Sequence, residues 1–104
     1  MSAHAAICAA IRAIAPGQTR SYAAIARTAG LPGRARLVVR VLKTEDDLPW
    51  HRVVKADGRI AFPPDSEPYL LQLERLMGEG VTVRNGRVIA LHIEADGLDA
   101  TLWG

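Results

Sequence analysis

The sequence predicts a mostly α-helical fold with small β-hairpins, organised around a helix-turn-helix pair. Three observations predict it. Isoleucine and valine recur at helical spacing through the first 44 residues. Two short helical runs are joined by Gly30-Leu31-Pro32-Gly33, which reads as a tight turn. Further on, Asp57-Gly58 and Asn85-Gly86 each sit between short β-branched runs, the pattern of a hairpin.

The elements follow in order. Ile7, Ile11 and Ile14 lie at i, i+4 and i+7 with alanines between them, which predicts one apolar helical face over residues 3–15. Pro16-Gly17 stops it. Thr19-Arg20-Ser21 leads into a second helix over 21–29, with Ser21 as N-cap and Gly30 as stop. A third helix is predicted over 34–43. Leu37, Val38, Val41 and Leu42 fall on its core side, and Arg34, Arg36, Arg40 and Lys43 on its outside. Residues 44–48, with Glu45-Asp46-Asp47, read as an acidic loop. Strand-like runs at 51–54 and 60–62 flank Asp57-Gly58 as a small hairpin. Pro63–Ser66 caps a helix over 67–77 whose expected packing face is Leu70, Leu73, Leu76 and Met77. Residues 81–83 and 88–91 form a second hairpin through Asn85-Gly86, a type I′ turn signal. The tail reads as irregular, with Trp103 as a packing anchor.

At 104 residues the chain has room for one core, so residues 1–104 are expected to form a single domain. A hydrophobic content of 49% excludes disorder as the dominant state. No apolar run approaches the roughly 18 residues that a membrane span needs. The apolar N-terminus lacks a basic leader region, so a helix and a cytoplasmic location are expected there rather than a signal peptide. Cys8 is the single cysteine, which agrees with a reducing compartment and reads as a small core residue.

The net charge of +2 conceals a division. Arg12, Arg20, Arg27, Arg34, Arg36, Arg40 and Lys43 precede the first acidic residue, and every Asp and Glu lies from Glu45 onward. Such asymmetry points to a polyanionic partner on one face. A basic outer surface on the second helix of a helix-turn-helix pair supplies what a groove reader needs: attraction to phosphates and a shape that fits the groove.

The residues offer no catalytic set. His51 could act as a base, but no Cys or Ser stands beside it to be activated. His4, His51 and His92 show no metal-ligand spacing, and no glycine-rich phosphate loop is present, so neither metal nor cofactor is expected. Trp50 has two readings: a core aromatic, or a platform on which an unpaired base stacks.

The run Pro49-Trp50-His51-Arg52-Val53-Val54 resembles the Pro-Cys-His-Arg-Val active-site motif of the O6-alkylguanine-DNA alkyltransferases, with Trp50 where the reactive cysteine would stand. Pro16-Gly17-Gln18-Thr19-Arg20-Ser21-Tyr22-Ala23-Ala24-Ile25-Ala26 resembles that family's segment entering the helix-turn-helix. Gly30 and Ala35-Arg36 with Val38 resemble its recognition helix. Tryptophan at the cysteine position marks the alkyltransferase-like proteins, a non-enzymatic branch. The resemblance spans residues 5–83.

It implies a winged-helix-like DNA-binding domain as in the alkyltransferase C-terminal domain. It also implies a function: monomeric binding of O6-alkylguanine in duplex DNA through the minor groove, rotation of the nucleotide into a pocket without dealkylation, and flagging for nucleotide excision repair proteins. By the same resemblance Tyr22 would push on the target phosphate, and Arg36 would fill the gap left by the flipped base. Ser21 and Thr19 would contact phosphates, and Arg34 and Arg40 would neutralise the backbone. Trp50 would wall the lesion pocket with Val53. His51 would be structural, and Arg52 would hold the pocket loop by hydrogen bonds.

The sequence departs from the pattern in three places. No asparagine hinge is assigned within residues 44–48. The acidic member of the transferase proton relay has no match. Pro63 stands where some alkyltransferase-like proteins carry an Arg against the lesion base, leaving Phe62 or Arg59 as substitutes. The rival readings are a helix-turn-helix protein for undamaged DNA, an interaction module without lesion binding, and a transferase acting through Cys8.

Overall fold

Ser2 opens the chain's first helix by accepting a hydrogen bond on its hydroxyl from the Ala5 amide at 3.1 Å. The computed structural model describes residues 2–89; Trp103 and the end of the second predicted hairpin lie outside them. Helix α1 (Ala3–Arg12) buries Ile7, Cys8 and Ile11. It stops three residues short of the expected end. Pro16 disfavours helical geometry at Ala15, and the Ile14 carbonyl accepts from the Arg52 guanidinium instead of a helical amide.

Strand β1 (Arg20–Ser21) runs directly into α2 (Tyr22–Thr28). The Ser21 hydroxyl caps α2 by accepting from the Ala24 amide at 3.1 Å. Gly30 closes the helix in the left-handed conformation, φ +80°. Its amide donates to the Arg27 carbonyl and the Leu31 amide to that of Ala26, a Schellman closure that only glycine makes without strain. Helix α3 (Ala35–Thr44) packs against α2 and α1 through Val38 and Val41, with Leu37 and Leu42 partly buried around them. Arg34, Arg36, Arg40 and Lys43 are all exposed, as the periodicity predicts.

The expected hairpin at 51–62 does not form. Trp50–Arg52 makes a 3-10 turn, and strand β2 (Val53–Val54) pairs in parallel with β1, Arg20 opposite Val53 and Ser21 opposite Val54. Both valines are buried, as in a strand covered on two faces. They serve different cores. Val53 joins the cluster of Ile7, Ile11, Ile25 and Val38, and Val54 the cluster of Leu76, Val81 and Val88. The Asp57-Gly58 turn does form, with the Gly58 amide donating to the Lys55 carbonyl at 2.8 Å. The chain leaving it adds to the second hairpin, Arg59 pairing antiparallel with Arg87.

Helix α4 (Glu67–Gly78) is capped by Ser66. Its buried face is rotated from the expected one. Gln72 and Leu76 are buried, whereas Leu70 and Met77 are 50% and 60% exposed. The reason is a polar anchor. The Gln72 side-chain amide donates to the carbonyls of His51 and Val53, both at 3.0 Å, turning the helix so that an amide faces inward. Strands β3 (Val83–Arg84) and β4 (Arg87–Val88) form the predicted hairpin. Asn85 and Gly86 both have positive φ, as a type I′ turn demands.

Among the described residues no helix is long and apolar enough to cross a membrane. Two residues that the sequence leaves without a metal motif, His4 and Cys8, converge with Glu45 on one side of the molecule.

Candidate nucleic-acid interface and base pocket

Because β1 and β2 are neighbours, the N-terminal end of α2 lies beside the Trp50 segment. Between them a cleft of about 580 Å³ opens, a size suited to a small ligand or a single base. Tyr22, Val39 and Leu42 form one wall. Trp50, Val53 and Phe62 form another, and Leu71 and Gln72 of α4 close it. Lys43, Lys55, Glu45 and Asp46 also line it, giving it charged groups of both signs.

Trp50 is half-buried rather than a core residue, which removes the first of its two sequence readings. Phe62 meets it edge to face with ring centroids 6.0 Å apart, and His51 does so at 6.2 Å. The Arg75 guanidinium lies over the indole, 5.5 Å from the ring centroid. Arg75 does not itself line the cleft; the cations that do are Lys43 and Lys55. Arg59, a sequence candidate for the cation that Pro63 cannot supply, is exposed, pairs with Asp57 at 3.2 Å, and does not line the cleft.

His51 and Arg52 do not line the cleft either; they hold it from behind. His51 Nε2 lies 2.8 Å from Glu79 Oε2. Arg52 donates from Nη2 to the same oxygen at 2.7 Å, from Nε to Glu79 Oε1 at 3.1 Å, and from Nη1 to the Ile14 carbonyl at 2.9 Å. The Gly17 amide donates to Glu79 Oε1 at 3.1 Å. One carboxylate thus ties the motif segment to the turn after α1 and to the end of α4. The Arg52 guanidinium, with the His51 ring and the Gly17 amide, holds the Glu79 carboxyl at about 2. His51 Nδ1 is buried with no protein partner among the described residues.

Glu79 is therefore the acidic partner of His51 that the sequence does not reveal. Nothing in Gly78-Glu79-Gly80 advertises the role. Gln72 and Arg75, three residues apart on α4, are likewise invisible without the fold. Arg52 ties the Trp50–Arg52 turn to Glu79 and to the Ile14 carbonyl.

Of the remaining predicted residues only Tyr22 lines the cleft. Tyr22 is partly buried at its rim, and burial raises its phenol above the usual value. The Ser21 hydroxyl is committed as acceptor to the α2 cap, which leaves its O–H free to donate. Thr19 is half-buried just before β1. Arg34, at the N-cap of α3, and Arg36 and Arg40 on the helix are exposed, and no carboxylate of the described residues lies within ion-pair distance of them. Arg36 sits in the first turn of α3, where the helix dipole adds to its positive potential.

A helix-turn-helix with a basic second helix, a β-hairpin beyond it and an aromatic cleft alongside defines a DNA-binding fold of the winged-helix type. Comparison with known proteins narrows the class. Residues 2–81 match the family of the 6-O-methylguanine DNA methyltransferase DNA-binding domain. The Alkyltransferase-like protein 1 of Schizosaccharomyces pombe is 37% identical over 70 residues, covering 64% of this chain and 65% of that protein. The DNA base-flipping protein of Escherichia coli is 39% identical over 85 residues, covering 78% and 64%. The chain thus spans just under two thirds of the length of these two relatives. A crystal structure of S. pombe Atl1 in complex with damaged DNA containing O6-carboxymethylguanine superposes with a TM-score of 0.70 at 33% identity, covering 79% of each chain. The chain belongs to the methyltransferase DNA-binding-domain family, as an alkyltransferase-like protein.

Proposed function

We propose that the protein binds O6-alkylguanine in duplex DNA from the minor groove, flips the damaged nucleotide into the cleft beside Trp50, and releases it unaltered. The carrying observation is the cleft itself. An aromatic wall of Trp50 and Phe62 stands where a base can stack, and Tyr22 with Val39, Leu42 and Lys43 of the basic helix lines the same cleft. The solved complex of S. pombe Atl1 with damaged DNA, and the base-flipping function named for the E. coli relative, support the reading.

Tyr22 pushes the target phosphate, and Arg36 enters the stack to replace the extruded base. Ser21 and Thr19 hold the backbone by hydrogen bonds, and Arg34 and Arg40 neutralise it. The protein forms no covalent product, because an indole at residue 50 offers no thiolate to accept the alkyl group. The bound and distorted duplex then serves as the signal for nucleotide excision repair proteins.

Affinity for a duplex carrying one O6-methylguanine, compared with its unmodified twin, tests the reading. Preference for the lesion duplex is expected. Equal affinities refute lesion recognition and leave a binder of undamaged DNA. Radiolabel moving from methylated DNA to the protein refutes the non-enzymatic part. Excision-repair incision of the lesion duplex should accelerate when the protein is added.

A further inference from the structure

On the side of α1 that faces the end of α3, His4 and Cys8 stand one helical turn apart, and Glu45 at the C-cap of α3 comes up against both. The imidazole nitrogen of His4, the Cys8 sulfur and a carboxylate oxygen of Glu45 all lie within 4.8 Å of one another. His4 Nε2 and Glu45 Oε2 are already 2.8 Å apart. Zinc holds such ligands at about 2.0–2.3 Å, which sets tetrahedral ligand atoms roughly 3.3–3.8 Å from each other. The adjustment needed is small and falls on side chains open to solvent. The His4 side chain is 48% exposed and that of Glu45 33%, whereas Cys8 is fixed in the core at 6%.

We propose that His4, Cys8 and Glu45 form a site for a zinc-class divalent cation, with three protein ligands and a fourth position open to water. The donor set selects the metal. Imidazole and thiolate favour zinc or cobalt over magnesium and calcium, which take oxygen ligands. The surroundings agree. Burial, with Glu45 and Asp47 nearby, raises the Cys8 thiol, so the group is protonated until a cation arrives. The same two carboxylates that disfavour a bare thiolate attract a dication. Arg12, the competing positive charge, pairs with Asp47 at 3.2 Å rather than with Glu45. Binding forms the metal–sulfur bond and releases the Cys8 proton to solvent, so affinity rises with pH. The site clamps α1 to the chain leaving α3. It does not depend on the DNA-binding reading.

Cobalt(II) titrated into the untagged full chain is the test, with zinc as competitor. Cys8 is the single cysteine in the sequence, so a thiolate-to-cobalt charge-transfer band identifies it without ambiguity. The band is expected in the wild type, abolished by zinc and absent in Cys8→Ser. Loss of a metal's outer-sphere partner already costs about 10- to 100-fold in affinity, so the direct ligand change His4→Ala should cost at least that. His4 is exposed, and its replacement leaves the fold standing, which separates ligand loss from misfolding. Absence of the band at saturating cobalt overturns the site. So does unchanged affinity in both His4→Ala and Glu45→Ala, which would leave a lone thiol as the binder.

Discussion

Replacing Glu79 with Gln removes the charge that joins His51, Arg52 and the Gly17 amide while keeping the side chain's shape. Its effect follows from the carboxyl's own titration. A pKa of about 2 in place of 4.5 means that folding favours the ionised form. Each pKa unit is worth about 1.36 kcal/mol, giving about 3 kcal/mol at neutral pH. The side chain keeps 18% of its surface open, and solvent screening brings the contribution to about 2–3 kcal/mol. A domain of this size melts about 4–8 °C lower per kcal/mol, so Glu79→Gln should melt about 10–20 °C below the wild type. The folded pKa is depressed, so this stability is fully present above 4.5 and disappears as pH falls toward 2. Urea or thermal melts of both proteins across that range are the assay. The two stability curves should lie apart at neutral pH and converge in acid. A gap that stays constant with pH, or a difference under about 0.5 kcal/mol at neutral pH, would refute the argument, since surface substitutions do no more than that.

Four other outcomes are expected. Trp50→Ala removes the stacking wall, and a base stacked on an aromatic is worth about 1–3 kcal/mol, so preference for a lesion duplex should fall about 5- to 150-fold in competition binding. Arg36→Ala should weaken DNA binding and flatten the slope of log affinity against log salt by about 0.9, read from binding isotherms at several salt concentrations; Tyr22→Ala should lose flipping, read as quenched fluorescence of a base analogue at the target position. Arg75→Ala removes an exposed cation–π contact of about 0.5–1 kcal/mol, and should shift the fluorescence of Trp50 while costing lesion affinity less than about 10-fold.

What could be read without coordinates was local. The α2–α3 pair was visible because Ser21, Gly30 and the apolar spacing each act over a few residues, and Asn85-Gly86 announces its turn from two positions. The strand at Val53-Val54 was visible, but the 3-10 turn before it and its pairing were not, because its partner is β1, far back in the chain and only two residues long. The inner face of α4 was misjudged for a chemical reason. Counting apolar residues omits Gln72, whose amide is satisfied only by carbonyls of another segment. The site divided the same way. Trp50 and Val53 of the motif line the cleft together with Phe62 and Tyr22, whereas His51 and Arg52 turn away from it toward Glu79. His4 and Cys8 lie one helical turn apart, but that spacing acquires meaning only when the fold delivers Glu45.

The Glu79 junction also orders events in time. The basic helix pair is made largely of contacts close in sequence, and its core is completed by Ile7 and Ile11 of α1 and by Val53. The wall that carries Trp50 is held by residues that come later in the chain, Gln72 and then Glu79, which holds Arg52 and His51 and reaches back to Gly17. Contacts of low sequence separation form faster, so on refolding the amides of the helix pair should gain protection before those of the Trp50 segment.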